Sequence, residues 1–402
     1  MEKTLSRSRE RLLISLSVAI SVLLVFAVAE VGLRIYAANS AYILKPDLPI
    51  IVDHAFLGKA LKPNSEYASR LASVSVNSRG FRGKDFDVPK PAGVYRAFAL
   101  GGSTTFGFYP SISSDAATYP GQLELLLNEQ KPSAHQQTRF EVINGGLPGY
   151  SLRTSLQNFA ARALYFQPDA VLIYHNTNDL ARYGSEAALQ QPLKNFYTEP
   201  NLAHDLFESL FSWSYVLQEL RFTLMQRLGL AQLFTPKPTL AAVSGSVSGG
   251  AAQWQVDPRY PAVFRRDLTN LVVLAKANGV LPVLISQSIA ITAETDLSQL
   301  TDAERAMRLD KPDPYHARIP PAHRYQMFAL YNDIIREVAT AEGAIFVDAN
   351  AAIPKTPDYH WDYCHLTDRG AALLASTIHQ TLLAEPRFAA AATPAETDPL
   401  AP

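Results

Sequence analysis

Cysteine is almost missing from this chain. Its one thiol, Cys364, has no partner for an intrachain disulfide. Charge is sparse as well: 18% of the 402 residues are charged, and the formal net charge is -1. No basic block follows the first dozen residues, which argues against nucleic acid as the main partner. No lysine follows the glycines of "GGST" (101–104), so the loop that cradles nucleotide phosphates is absent. The G-x-S-x-G nucleophile elbow is absent there too, because position 105 is Thr105. Zinc-type pairing is also lacking. "HWDYCH" (360–365) offers His360, Asp362, Cys364 and His365, but no second pair accompanies it, so neither a metal nor a cofactor is expected.

Apolar residues are plentiful, at 48%, which allows a sizeable core. The longest apolar run is N-terminal. Lys3, Arg7, Arg9 and Arg11 precede "LLISLSVAISVLLVFAVA", which runs from Leu12 to Ala29 without a charge. A membrane span needs roughly 20 such residues. Val31, Leu33 and Ile35 extend the run past Glu30, which favours an uncleaved anchor over 12–36. The rival is a cleaved signal peptide, with Ala27-Val28-Ala29 as its cleavage site. The basic flank (1–11) predicts a cytoplasmic N-terminus, a lipid bilayer as partner, and the remaining chain on the extracytoplasmic side.

Residues 37–93 are dotted with proline and read as an extended approach segment with short strands. Within it, "NSRGFRG" (77–83) is a turn whose Arg79 and Arg82 either pair with acids or meet an acidic substrate. From 94 to 385 short apolar runs alternate with helical patterns. The runs are "VYRAFAL" (94–100), "FEVIN" (140–144), "DAVLIYHN" (169–176), "VLPVLISQS" (280–288) and "AIFVDA" (344–349). Helical periodicity lies between them, with Pro120 in a first turn and Ser151 as an N-cap. This alternation predicts an α/β fold: a flavodoxin-like three-layer sandwich around a five-stranded parallel sheet of order 2-1-3-4-5. Residues 180–258 interrupt it with a helical insertion whose Phe207, Phe211, Trp213 and Tyr215 are read as core, followed by a flexible stretch at 241–253. The tail 386–402 is expected to be disordered.

In such a fold, active groups belong just after the strands. Ser103 follows the first strand, Gly145 and Gly146 the second, and Asn178 the third. Asp362 and His365 lie after the fifth strand and before the last helix. Acyl transfer needs this inventory. A serine hydroxyl needs a base in reach, and a histidine serves when a carboxylate fixes its tautomer. The oxyanion needs fixed donors: the Ser103 and Gly146 N–H groups and the Asn178 amide. His175 reads as a structural strand-end residue, Asp179 as a turn former, and Cys364 as a small buried residue behind the loop.

These residues resemble the SGNH (GDSL-type) hydrolase family. "GGST" is similar to its first block, "NGGLPG" to the second, "NTND" to the third and "DYCHLT" to the fifth, over roughly 94–382. The resemblance implies Ser103 as nucleophile, Gly146 and Asn178 as oxyanion donors, and Asp362 and His365 as the rest of a triad. It implies an ester hydrolase acting on an acyl ester of a glycan or lipid, with O-acetyl groups of an envelope glycan among the substrates. Transfer to a sugar hydroxyl, and a non-catalytic glycan- or lipid-binding role, stay open beside it. The chain departs from the pattern twice. Gly102 stands where the family often has Asp, as in a "GGST" branch that also carries an N-terminal membrane segment. Asn176 stands where the third block usually has Gly, and a side chain there is expected to crowd the loop that carries Asn178.

Overall fold

The alternating apolar runs become one parallel sheet. The structure, a computed structural model, describes residues 7–39, 50–68, 72–107, 111–131, 135–184, 214, 216–217, 255–296, 298–307, 309 and 319–390. The chain divides into two units, Met1–Leu48 with Ser69–Leu71 and Tyr197–Ser248, and the remainder.

In the first unit, α1 spans Arg7–Asn39. Its stretch Leu13–Ile35 has a mean hydropathy of 2.4 and is not buried inside the protein. At 1.5 Å per residue those 23 residues extend about 35 Å, enough for a hydrocarbon core about 30 Å thick. A membrane span and a signal sequence both satisfy that test. The carboxylate of Glu30 pairs with Arg34 at 2.7 Å and accepts hydrogen bonds from Ser214 Oγ (2.8 Å) and the Val216 N–H (3.0 Å). The insertion's aromatics, the 241–253 stretch and residues 391–402 lie outside the described residues.

In the second unit, short antiparallel pairs form first: β1 (Ile51–His54) with β2 (Gly58–Leu61), and β3 (Ser65–Ala68) with β4 (Ser73–Val76). The main sheet follows, from β5 (Val94–Gly101), β6 (Arg139–Asn144), β7 (Ala170–Tyr174), β8 (Leu281–Ile285) and β9 (Ile345–Val347). All its pairings are parallel and its order is β6-β5-β7-β8-β9, the expected 2-1-3-4-5.

Strand side chains alternate between two buried layers. Phe98, Leu100, Val171, Ile173 and Leu284 face α4 (Leu152–Ala161), α6 (Arg259–Ala277) and α8 (Pro321–Glu342). Ala97, Ala99, Leu172, Tyr174, Val283 and Ile285 face α3 (Tyr119–Glu129) and α10 (Asp368–Leu383). A sheet covered on both faces explains why these strands read as unbroken apolar runs. Fully burying one such Leu or Phe is worth roughly 1.5–3 kcal/mol. The elements between are short: α2 (Ser103–Phe106), α5 (Thr177–Leu180), α7 (Asp302–Ala306) and α9 (Ala349–Ala352).

The chain departs from the expected tail boundary. Pro386–Ala390 forms a short helix, α11, and Phe388 is buried against Tyr95, His135 and Phe140. The buried Phe388 ring docks it, together with Arg387, which donates to Glu385 and to the Gly343 carbonyl.

Candidate active site

The strand ends converge as the topology requires. β5 stops at Gly101, and Ser103 opens the single turn of α2. The end of that turn is held by two buried side chains. Asn144 Nδ2 donates to the carbonyls of Thr105 (3.0 Å) and Phe106 (3.2 Å). Arg82 Nη1 donates to those of Phe106 and Gly107, both at 2.7 Å. Its Nε meets Asp115 at 2.6 Å. Arg82 is therefore a structural clamp on the serine turn and is 3% exposed. Of the two roles open to it, pairing with an acid is the one observed.

The loop 360–366 presents the base. His360 bridges Leu366, and the Trp361 N–H donates to the carbonyl of His365 at 2.8 Å, closing a tight turn. Inside it, Asp362 Oδ1 accepts from the N–H groups of Cys364 (2.9 Å) and His365 (2.8 Å). Its Oδ2 lies 2.7 Å from His365 Nδ1. His365 Nε2 lies 2.8 Å from Ser103 Oγ. A carboxylate only accepts, so Nδ1 carries the hydrogen and Nε2 is left to accept from the serine hydroxyl. Burial alone would raise the Asp362 pKa. The His365 charge and the hydrogen bonds outweigh it and hold the carboxyl down at about 2. Ser103, His365, Asp362 and Asn178 are all only partly buried, whereas Cys364 is buried behind the loop, as expected.

Ligand atoms of Asp362, Cys364 and His365 lie within 4.8 Å of one another. In the structure Asp362 and His365 direct theirs to each other and to Ser103. His360 points away from them, to Ser288 Oγ at 3.2 Å.

The predicted donors fare differently. Asn178, on α5 after β7, donates one amide hydrogen to the Tyr150 carbonyl at 2.8 Å. A primary amide carries two, and the second has no partner among the described residues. The Asn178 amide packs on Gly102: a Cβ there would stand 2.2 Å from Nδ2. A side chain at position 102 would therefore need that amide to shift. The Ser103 N–H likewise has no partner among the described residues. Gly146 differs from expectation, since its N–H donates to Asn144 Oδ1 at 3.1 Å. Its lack of a side chain answers to packing inside the protein, for a Cβ at 146 would lie 2.4 Å from the Phe106 nitrogen.

Other residues stitch the loops together. Asp179 accepts the Leu152 N–H with both oxygens (2.9 and 3.1 Å), and Arg182 donates to Ser151 Oγ at 2.7 Å. His175 is buried with Nε2 2.8 Å from Ser155 Oγ, the structural place foreseen for it. Sequence reasoning missed Asn144, although a polar residue closing an apolar strand beside "GGLPG" marks it. Asn176 does not crowd the loop. Its side chain turns inward and is fully buried.

A hydroxyl, an imidazole and a carboxylate in series, with amide donors beside them at the carboxyl edge of a parallel sheet, define the class of SGNH-type ester hydrolases. Residues 99–373 match the GDSL-like lipase/acylhydrolase family, and the chain belongs to that family. Among solved structures, the chain is similar to the lipase/acylhydrolase from Enterococcus faecalis. The identity is 14% and the TM-score 0.39, with 72% of this chain and 96% of that one covered. It is also similar to Axe2, an acetylxylan esterase from Geobacillus stearothermophilus, at 15% identity and TM-score 0.39, covering 71% and 93%. A third, LAE5, an alpha/beta hydrolase from the metagenome of Lake Arreo, Spain, stands at 14% and 0.39, covering 71% and 94%. No curated protein matches the chain.

Proposed function

We propose that the chain hydrolyses acyl esters through an acyl-Ser103 intermediate. The observation that carries this reading is the continuous relay from Ser103 Oγ to His365 (2.8 Å) and on to Asp362 (2.7 Å). Ser103 Oγ attacks the ester carbonyl while its proton passes to His365 Nε2. The imidazolium is stabilised by the ionised Asp362. Negative charge gathers on the carbonyl oxygen and is met by the Ser103 N–H and the free amide hydrogen of Asn178. The Gly146 N–H joins them as far as Asn144 Oδ1 releases it. Collapse expels the alcohol, which takes the proton from His365. Water then enters, loses a proton to His365 and frees the acid, restoring Ser103.

For substrate we propose short acyl esters, the O-acetyl groups of an envelope glycan in particular. The basic-flanked apolar helix supports this, since retained as an anchor it would hold the catalytic unit on the extracytoplasmic face. Activity on p-nitrophenyl acetate and on an O-acetylated polysaccharide tests both parts. Ser103→Ala and His365→Ala should each lower turnover by at least ~10³-fold. Rates within a few-fold of the unmodified chain would refute the serine mechanism. A preference for long-chain over acetyl esters would refute the substrate.

A further inference from the structure

Asn176 stands where the family's third block usually has glycine, and its side chain starts a closed ring of amides beneath the site. Asn176 Nδ2 donates to the Phe328 carbonyl (2.9 Å) and to Asn332 Oδ1 (3.0 Å). Asn332, on α8, is clamped to the backbone of residue 287. Its Oδ1 accepts the Gln287 N–H (2.9 Å) and its Nδ2 donates to the Gln287 carbonyl (3.0 Å). The Gln287 side chain then turns back, and its Oε1 accepts the Thr177 N–H at 2.8 Å. The ring closes there, because Thr177 follows Asn176. Asn176, Thr177, Gln287 and Asn332 are all buried.

The ring has a direction. Swapping oxygen and nitrogen in Asn332 would set like against like at both backbone groups of Gln287. An apolar side chain of the same shape could fill the space but could not fix the geometry. The place of the ring matters more. Thr177 is the first residue of α5, and its N–H is one of the donors that a helix start leaves unpaired within the helix. Asn178 comes next. From the outer side α5 is held by Asn178 on Tyr150 and Asp179 on Leu152. From the inner side it is held by this ring, which ties the ends of β7 and β8 to α8.

We propose that Asn176, Asn332 and Gln287 are positioning residues that set where the Asn178 amide stands relative to Ser103. The inference rests on the reading of Asn178 as an oxyanion donor. A donor of this kind acts only if it meets the oxyanion at about 2.7–3.1 Å, so a small shift of α5 weakens transition-state binding and leaves ground-state binding intact.

A double-mutant cycle on the full-length chain in detergent tests it, with kcat and KM read on p-nitrophenyl acetate. Asn178→Ala alone should lower kcat about 10²–10³-fold. Asn332→Leu should lower kcat at least ~10-fold with KM within about twofold. Added to Asn178→Ala, it should lower kcat by less than about twofold further, since no donor is left to position. An equal loss in both backgrounds, or an unchanged kcat in Asn332→Leu, would overturn the proposal. Should Asn332→Leu fail to fold, Gln287→Met removes only the acceptor for Thr177 and enters the same cycle. A loss below severalfold in Asn178→Ala itself would instead remove Asn178 as a donor, and the positioning role would fall with it.

Discussion

His360 and Asp362 lie two residues apart on the same loop, and both make the fold sensitive to acid. His360 is held neutral, its pKa pushed down to about 3, first by burial and then by the positive charges of Lys355 and His365, with Asp362 opposing. An unfolded histidine takes up its proton near 6.5. Between those values the unfolded chain binds a proton that the folded chain does not, so stability falls as pH drops from about 6.5 towards 3. Asp362, ionised down to about pH 2 in the folded chain, adds a second loss between about 4 and 2. The melting temperature should therefore fall as pH is lowered from 7 to 4, and His360→Gln should flatten that slope. An equal slope in the variant would remove His360 as its source. The charge of these residue types was legible in "HWDYCH". Which imidazole joins the relay was legible only from its order before the last helix, because burial is not written in a six-residue string.

The serine turn, α2, is a single helical turn, too short to be stable by its own hydrogen bonds. It is held from outside, by Asn144 and Arg82 on its last carbonyls and by close packing against the loop after β6. Gly146 lies against α2, and the atom that a Cβ there would strike is the Phe106 backbone nitrogen. Gly146→Ala should push α2 away from His365. The expected result is a loss of stability of about 1–3 kcal/mol and a loss of turnover of at least ~10-fold. Gly149→Ala is the control. Gly149 has a φ of 84° but open space around it, so alanine there should cost about 1–2 kcal/mol of stability with turnover nearly intact. Equal turnover in the two variants would refute the packing account. Element identities were readable because periodicity and caps are local: Ser151 accepts an N–H at the start of its helix, and Pro120 sits in the first turn of α3. The contacts holding α2 were not, since Arg82 and Phe106 are 24 residues apart and belong to no shared pattern.

At the scale of the whole molecule, alternation of strand and helix carried the architecture. Right-handed crossovers leave few orders for five parallel strands, and the observed one was among them. The same topology gathers the strand ends, so the order Ser103, Gly146, Asn178, Asp362 and His365 nominates a site there, and the structure brings Ser103, His365 and Asp362 of that set into one hydrogen-bonded series. Long-range polar pairing stayed hidden. Asn176 read as an obstruction because its partner Asn332 stands 156 residues away, and Gly146 read as an open donor because Asn144 turns its side chain back onto it. The proposed chemistry depends on one nucleophile, Ser103. Labelling of the intact protein with a fluorophosphonate, followed by mass spectrometry of its peptides, tests that most directly. One label per chain on Ser103, greatly slowed in His365→Ala, is the predicted result. A folded, hydrolytically active chain that takes no label at Ser103 would contradict it.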